Sequence, residues 1–254
     1  MYFNFFLSVF LMVVGTMGIS AAALATDKKG FGLVESQGEG AEALAALKVH
    51  WYYNWGVRSN IKTSVAFIPM AFSIRRVKDI DTESKWVLGF NEPDNAKQSN
   101  IAVEDALLSW PELVRKSQYT GSPAIAKNAL NPKNWLELFM NEKPKVDFIA
   151  VHWYKGVNAK KFIEDIQAVC VAYKKPVWIT EFAPQTASEA RAQPMRYSQS
   201  EVDAFIQTTT RWMEQSECVQ RYAWHDAKTG TSALFKDGKL TQSGLAYSQD
   251  QIVP

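Results

Sequence analysis

KWVLGFNEPD, residues 85–94, runs from apolar positions straight into Asn91, Glu92, Pro93 and Asp94. The first half reads as a strand with both faces covered, because its apolar residues are consecutive rather than alternating. Pro93 donates no ladder hydrogen bond, so it marks where the chain leaves the sheet. The strand therefore ends by presenting a carboxamide and a carboxylate side by side.

Seven more runs have the same character: FGLV (31–34), VHWYYNW (49–55), SVAFIPMAF (64–72), QYTGSPA (118–124), VDFIAVHWY (146–154), PVWITEF (176–182) and VQRYAWHD (219–226). Segments of helical period lie between them. Asn131 and Pro132 fit the cap and first-turn positions of a helix carrying Trp135, Leu138 and Phe139, and Ser198 with Glu201 forms a capping-box pattern. Val202, Phe205, Ile206, Thr209, Trp212 and Met213 then share one stripe. Alternation of strand and helix on this scale predicts an α/β fold, a (β/α)8 TIM barrel, with a doubly wound open sheet as the alternative. No repeat or low-complexity linker divides the chain, so a single domain is expected over residues 26–254.

Residues 1–25 stand apart. They contain no charged side chain, are apolar from Phe5 to Ile19, and end in Ala23-Leu24-Ala25, a small-x-small cleavage pattern. The expectation is a signal peptide and a secreted, periplasmic or cell wall-associated protein. A leader kept as an anchor is the alternative, and a cleaved one leaves no stable membrane contact. In that setting Cys170 and Cys218, the two cysteines of the chain, are either a disulfide or two buried thiols.

Composition excludes some partners. With 254 residues, 47% hydrophobic and 21% charged, the chain is long enough for a large core, and a formal charge of +2 with scattered Lys and Arg argues against nucleic acid. Nine Trp, nine Tyr and fourteen Phe supply either core packing or flat surfaces for sugar rings.

In a barrel, functional residues gather where strands end. Glu92 ends the fourth run, and Glu181 ends the seventh in PVWITEFAP, three positions before Pro184. One carboxylate at a strand end is ordinarily a helix cap or an ion-pair partner. Two of them, each after an apolar strand and each preceded by a hydrogen-bonding residue (Asn91, Thr180), match what glycoside hydrolysis needs: one proton donor and one nucleophile or base. A metal-dependent hydrolase drawing on His50, His152, His225, Asp94 and Asp226 is disfavoured by their spacing, and no G-x-S-x-G elbow supports a serine hydrolase. No cofactor or metal is expected.

WYYNW, FIPMAF, GFNEPDNAKQSN, GSPAIA, WLELF, VDFIAVHWY, ITEFA, RYAWH and LFKDGKLTQSGLAY, in this order between Trp51 and Tyr247, together resemble family 128 of the glycoside hydrolases in the clan A superfamily. The resemblance implies a retaining endo-β-1,3-glucanase acting on β-glucan polysaccharide or oligosaccharide, with Glu92 as general acid and base and Glu181 as nucleophile; a monomer is expected. It also implies a carboxyl separation of roughly 5 Å, against some 6.5–9.5 Å for an inverting enzyme. Asn91 is then expected at the sugar 2-hydroxyl, Tyr154 on the nucleophile, His152 on substrate or acid, Trp224 as an aromatic platform, and Asn54 with Trp55 along the glycone side. The alternatives are a glucan-binding or wall-associated protein without activity, and a hydrolase of another β-glucan linkage.

Overall fold

The computed structural model describes residues 27–35, 40–81 and 84–249. The leader lies outside them, and among the described residues no helix is long and apolar enough to cross a membrane.

All eight expected strands are present: β1 (Lys29–Gly32), β2 (Trp51–Tyr53), β3 (Ala66–Phe67), β4 (Ser84–Val87), β5 (Ser117–Thr120), β6 (Ile149–Trp153), β7 (Val177–Phe182) and β8 (Val219–His225). Six form a sheet in the order β3-β2-β1-β8-β7-β6, and β4 pairs with β5; every pairing is parallel. Isolated parallel bridges join these groups at both sides, Met70 to Leu88 and Gly121 to Phe148. The chain therefore has an α/β architecture around parallel strands. A short hairpin, β9 (Phe235–Lys236) with β10 (Lys239–Leu240), follows β8 and was not legible as a ninth and tenth strand.

Helices α1 (Ala41–Ala46), α2 (Val103–Arg115), α3 (Trp135–Asn141), α4 (Ala159–Tyr173), α5 (Ala187–Ala192), α6 (Gln199–Gln215) and α7 (Gln242–Ser248) fill the connections. The alternation is incomplete. Residues 54–65 join β2 to β3 without a helix, since NWGVRSNIKTS carries no apolar stripe to bury, and a 3₁₀ turn, Ile74–Asp79, serves between β3 and β4. The expected cap of α3 is also displaced. Asn134, not Asn131, caps it by accepting from the Glu137 amide at 3.0 Å, because Lys133 turns the chain through a left-handed conformation just before Trp135. The capping box of α6 forms as expected, with Ser198 and Glu201 each bonding the other's backbone amide, and of its expected stripe Val202, Phe205, Ile206, Thr209 and Met213 are buried while Trp212 is half-buried. Cys170 on α4 and Cys218 ahead of β8 are joined in a disulfide.

Side chains alternate across the strands, which splits the core in two. Tyr52, Val87, Ile149, Val151, Ile179, Tyr222 and Trp224 pack outward into the larger cluster with the helices, while Trp51, Tyr53, Met70, Leu88, Phe148, Trp178 and Ala223 meet inside. The inner cluster is tight: a Cβ at Gly30 would overlap the Trp51 indole, and one at Gly121 the Phe148 ring. Near the strand starts, the Arg221 guanidinium faces three indoles, with centroids at 4.6 Å (Trp178), 5.5 Å (Trp86) and 5.6 Å (Trp51).

Candidate active site

Glu92 follows the end of the β4 segment, where its amide bonds the Ala124 carbonyl at 2.7 Å and its own φ is +43°. A left-handed non-glycine residue costs free energy of about 1–3 kcal/mol, and such residues concentrate where function fixes a side chain. Its carboxylate is held on both oxygens: Asn95 Nδ2 donates to Oε2 at 2.9 Å, and His152 Nδ1 lies 3.1 Å from Oε1. Asp94, next but one, accepts the backbone amides of Ala126 and Lys127 and so ties this turn to the β5 loop.

Glu181, on β7, is 5% exposed. Its Oε2 accepts the Tyr154 hydroxyl at 2.5 Å, its Oε1 accepts Trp55 Nε1 at 2.7 Å, and the Tyr53 hydroxyl stands 3.4 Å from Oε1 while donating to the Thr180 carbonyl at 2.9 Å. His152 Nδ1 is 3.5 Å from Oε2, so one buried imidazole lies against both carboxylates. One ligand atom from each of Glu92, His152 and Glu181 falls within 4.8 Å of the other two.

The electrostatics separate the groups. Burial pushes Glu181 up, but His152, His225 and the hydrogen bonds from Tyr154 and Trp55 together hold it below the ordinary glutamate value. Burial disfavours the charged form of His152, yet the Glu181 charge and the Glu92 contact outweigh it and raise its pKa. Burial lowers His225, which is therefore neutral near pH 7 and assists Glu181 chiefly in acid. Burial and the Glu181 charge drive Tyr154 and Tyr53 well above the ordinary phenol range, so both remain donors.

Six of the expected residues thus come together: Asn91, Glu92, His152, Tyr154, Glu181 and Trp55. Trp55 reaches Glu181 from a left-handed backbone conformation, φ +56°. Asn91 shares a cleft with Glu92, Gln98, Trp55, Glu181 and His225. Asn91 Oδ1, His152 Nε2 and His225 Nδ1 are buried atoms with no hydrogen-bond partner among the described residues.

Two expected residues lie elsewhere. Trp224 is 0% exposed; its Nε1 donates to the Ser232 carbonyl, and its ring packs on Phe182, Phe205 and Tyr247. Strand alternation sends Trp224 outward and its neighbour His225 into the cleft, so Trp224 is a core residue and not a sugar platform. Asn54 spends its carboxamide on its own loop and the segment after β1, donating to Glu35 and the Arg58 carbonyl and accepting the Gly56 amide. Of the histidines, His50 pairs with Asp27 before β2, far from this cluster, whereas His225 makes edge contacts with Trp55 and Tyr154. Tyr53 and Asn95 are residues that sequence reasoning missed as site members, and His225 was considered only as a metal ligand. Period-two counting inward from Trp51 in WYYNW gives the signal for Tyr53.

Comparison with known proteins agrees with this geometry. The family described as Glycosyl hydrolase catalytic core matches residues 30–247. A subgroup I endo-β-1,3-glucanase of glycoside hydrolase family 128 from Amycolatopsis mediterranei, crystallised as a glutamate-to-alanine mutant with laminaripentaose, is 30% identical over 88% of this chain and 99% of its own, with a TM-score of 0.78. A second structure of that enzyme, with another glutamate replaced and with laminaritriose and laminaribiose bound, aligns at 30% identity over the same shares with a TM-score of 0.77. A subgroup VII oligosaccharide-binding protein from Cryptococcus neoformans shares the fold at 24% identity, covering 91% of this chain and 96% of its own with a TM-score of 0.72. No curated protein matches the chain. Two carboxylates bridged by a buried histidine at the strand ends, inside a matched catalytic core, make this chain a glycosyl hydrolase belonging to the Glycosyl hydrolase catalytic core family and, within it, to glycoside hydrolase family 128.

Proposed function

We propose that the protein is a retaining endo-β-1,3-glucanase. The observation that carries this reading is the spacing of Glu92 and Glu181, one oxygen of each lying within 4.8 Å of the other, which fits the short carboxyl separation of a retaining enzyme better than the roughly 6.5–9.5 Å that inversion requires. Glu181, ionised and aimed by Tyr154 and Trp55, attacks the anomeric carbon while Glu92 gives its proton to the departing glucan oxygen. Glu92 then takes a proton from water, which displaces Glu181 and restores the starting configuration. Asn91, beside the acid, and the unpartnered nitrogens of His152 and His225 supply groups for the sugar hydroxyls. The β-1,3 linkage is proposed from the similar enzymes bound to laminari-oligosaccharides.

The same proposal includes the setting. The two bridges that join β3 to β4 and β5 to β6 support a closed (β/α)8 barrel spanning residues 26–254, and the apolar leader of residues 1–25 supports export toward a glucan-containing wall.

The test is reducing-end release by the purified protein from laminarin and curdlan beside cellulose and chitin, with Glu181→Gln as the blank and the product anomer followed by NMR. Release of β-anomer from the β-1,3-glucans, absent in the variant and indifferent to a chelator, is the expected result. Release of α-anomer overturns retention, and binding without release moves the chain to a glucan-binding role.

A further inference from the structure

Tyr154 owes its position to the two residues beside it. Trp153 and Lys155 turn their side chains away from the cleft and meet one carboxylate: Asp165 on α4 accepts Trp153 Nε1 at 3.0 Å and Lys155 Nζ at 2.9 Å on the same oxygen, Oδ2. Its other oxygen, Oδ1, takes Lys161 from the next-lower turn of α4. Asp165 is 7% exposed, and burial alone would raise its pKa, but the Lys155, Lys161 and Trp153 hydrogen bonds reverse the sign and keep it ionised. On the opposite side, the backbone of this segment is fastened to the end of β7: the Ala183 amide donates to the Trp153 carbonyl at 3.2 Å and the Gly156 amide to the Pro184 carbonyl at 3.0 Å.

We propose that Asp165 is a positioning residue for the glycosyl transfer, a clamp on Trp153 and Lys155 that sets the Tyr154 hydroxyl against Glu181 Oε2. The inference rests on the reading of Glu181 as nucleophile. The physical reason is leverage. Tyr154 lies between two residues pinned to one buried carboxylate, so the strand end cannot rotate without breaking a charge-assisted bond and stranding a charge or an indole N–H. A shift of a fraction of an ångström at the hydroxyl lengthens the 2.5 Å bond that orients the nucleophile, and misplacement on the 1 Å scale costs on the order of 10²-fold in rate. The Asp165 carboxylate bonds Trp153, Lys155 and Lys161 and neither glutamate. It acts through Tyr154.

The experiment is a double-mutant cycle in kcat and KM on laminarin, using Asp165→Ala, Tyr154→Phe and the pair, with Asp165→Asn and Lys161→Met alongside. Asp165→Ala is expected to lower kcat about tenfold with KM near that of the wild type, and to have no further effect in the Tyr154→Phe background. Asp165→Asn keeps an acceptor for Trp153 and restores part of the rate, which also serves if the alanine variant fails to fold. Lys161→Met, which leaves both flanking contacts, keeps full kcat. Losses that add in the double variant, or an equal loss in Lys161→Met, overturn the clamp. Full activity in Tyr154→Phe overturns it as well, while the Glu181→Gln blank reports separately on the nucleophile.

Discussion

The Tyr154 hydroxyl donates to Glu181 Oε2 at 2.5 Å, from a phenol that burial and the same carboxylate keep protonated. The two groups reinforce each other: the charge secures the donor, and the donor lowers the pKa of the acid.

Tyr154→Phe removes that donor without changing the ring. The expected loss is about 10²-fold in kcat, the scale of one catalytic hydrogen bond in a water-poor site. The acid limb of the rate profile should also move to higher pH, because Glu181 loses one of the interactions that hold it down. Steady-state rates between about pH 3 and 7 give both results, and an unchanged acid limb would show that the phenol does not act on Glu181.

His152 makes stability depend on pH. Its folded pKa is raised above the unfolded value of about 6.5, so its contribution is fully present below that value and is lost as pH rises through the folded pKa. Glu181 has the opposite sign: its depressed pKa contributes stability above the unfolded value of about 4.3, lost as pH falls through the folded one. Thermal unfolding at several pH values above 6.5 should therefore show declining stability in the wild type and a flatter profile in His152→Gln. Parallel profiles would mean that folding does not raise the pKa of His152.

Why Glu92 and Glu181 were legible while Trp224 was not follows from what each signal contains. An apolar run that stops at a carboxylate and a proline reports both the strand and its end, so it locates a rim residue without knowledge of its neighbours. Which face a side chain takes depends on register, and β8 against β7 is shifted at two places, so Trp224 and His225 cannot be told apart from RYAWHD alone. Trp55 and Asn54 illustrate the same limit from a loop. A left-handed turn at Trp55 sends its indole nitrogen to Glu181, and Asn54 is drawn off by Glu35 and by two backbone groups, choices that only the folded loop makes. Asp165 gave no signal, because an acid next to Glu164 in the middle of a helix reads as a solvated face.

The Cys170–Cys218 disulfide ties α4 to the start of β8 across a separation of 48 residues. Closing a loop of that length restricts the unfolded chain by an amount worth about 4 kcal/mol. Reduction, or Cys170→Ser with Cys218→Ser, should lower the denaturation midpoint by a corresponding amount while leaving kcat intact, since neither cysteine touches Glu92, His152 or Glu181. Urea titrations with and without reductant measure the first, and rates below the transition the second. An equal midpoint would mean that the bond does not form in solution.

Arg221 sits at the opposite end of β8 from His225, four residues away, or about 13 Å along the strand. Burial lowers its pKa, and its Nη1 has no hydrogen-bond partner among the described residues, so desolvation counts against it. Three indole faces count for it, each within the range where a desolvated cation–π contact contributes up to about 2 kcal/mol. The indoles should win. Arg221→Ala is expected to lose about 2–4 kcal/mol, from the cavity together with the three contacts, and Arg221→Met to lose less because its chain refills the space between the rings. Neither should change kcat at temperatures where the protein stays folded. Denaturant midpoints for both variants test the ranking; a methionine variant as stable as the wild type would show that desolvation of the half-buried guanidinium cancels what the indoles contribute.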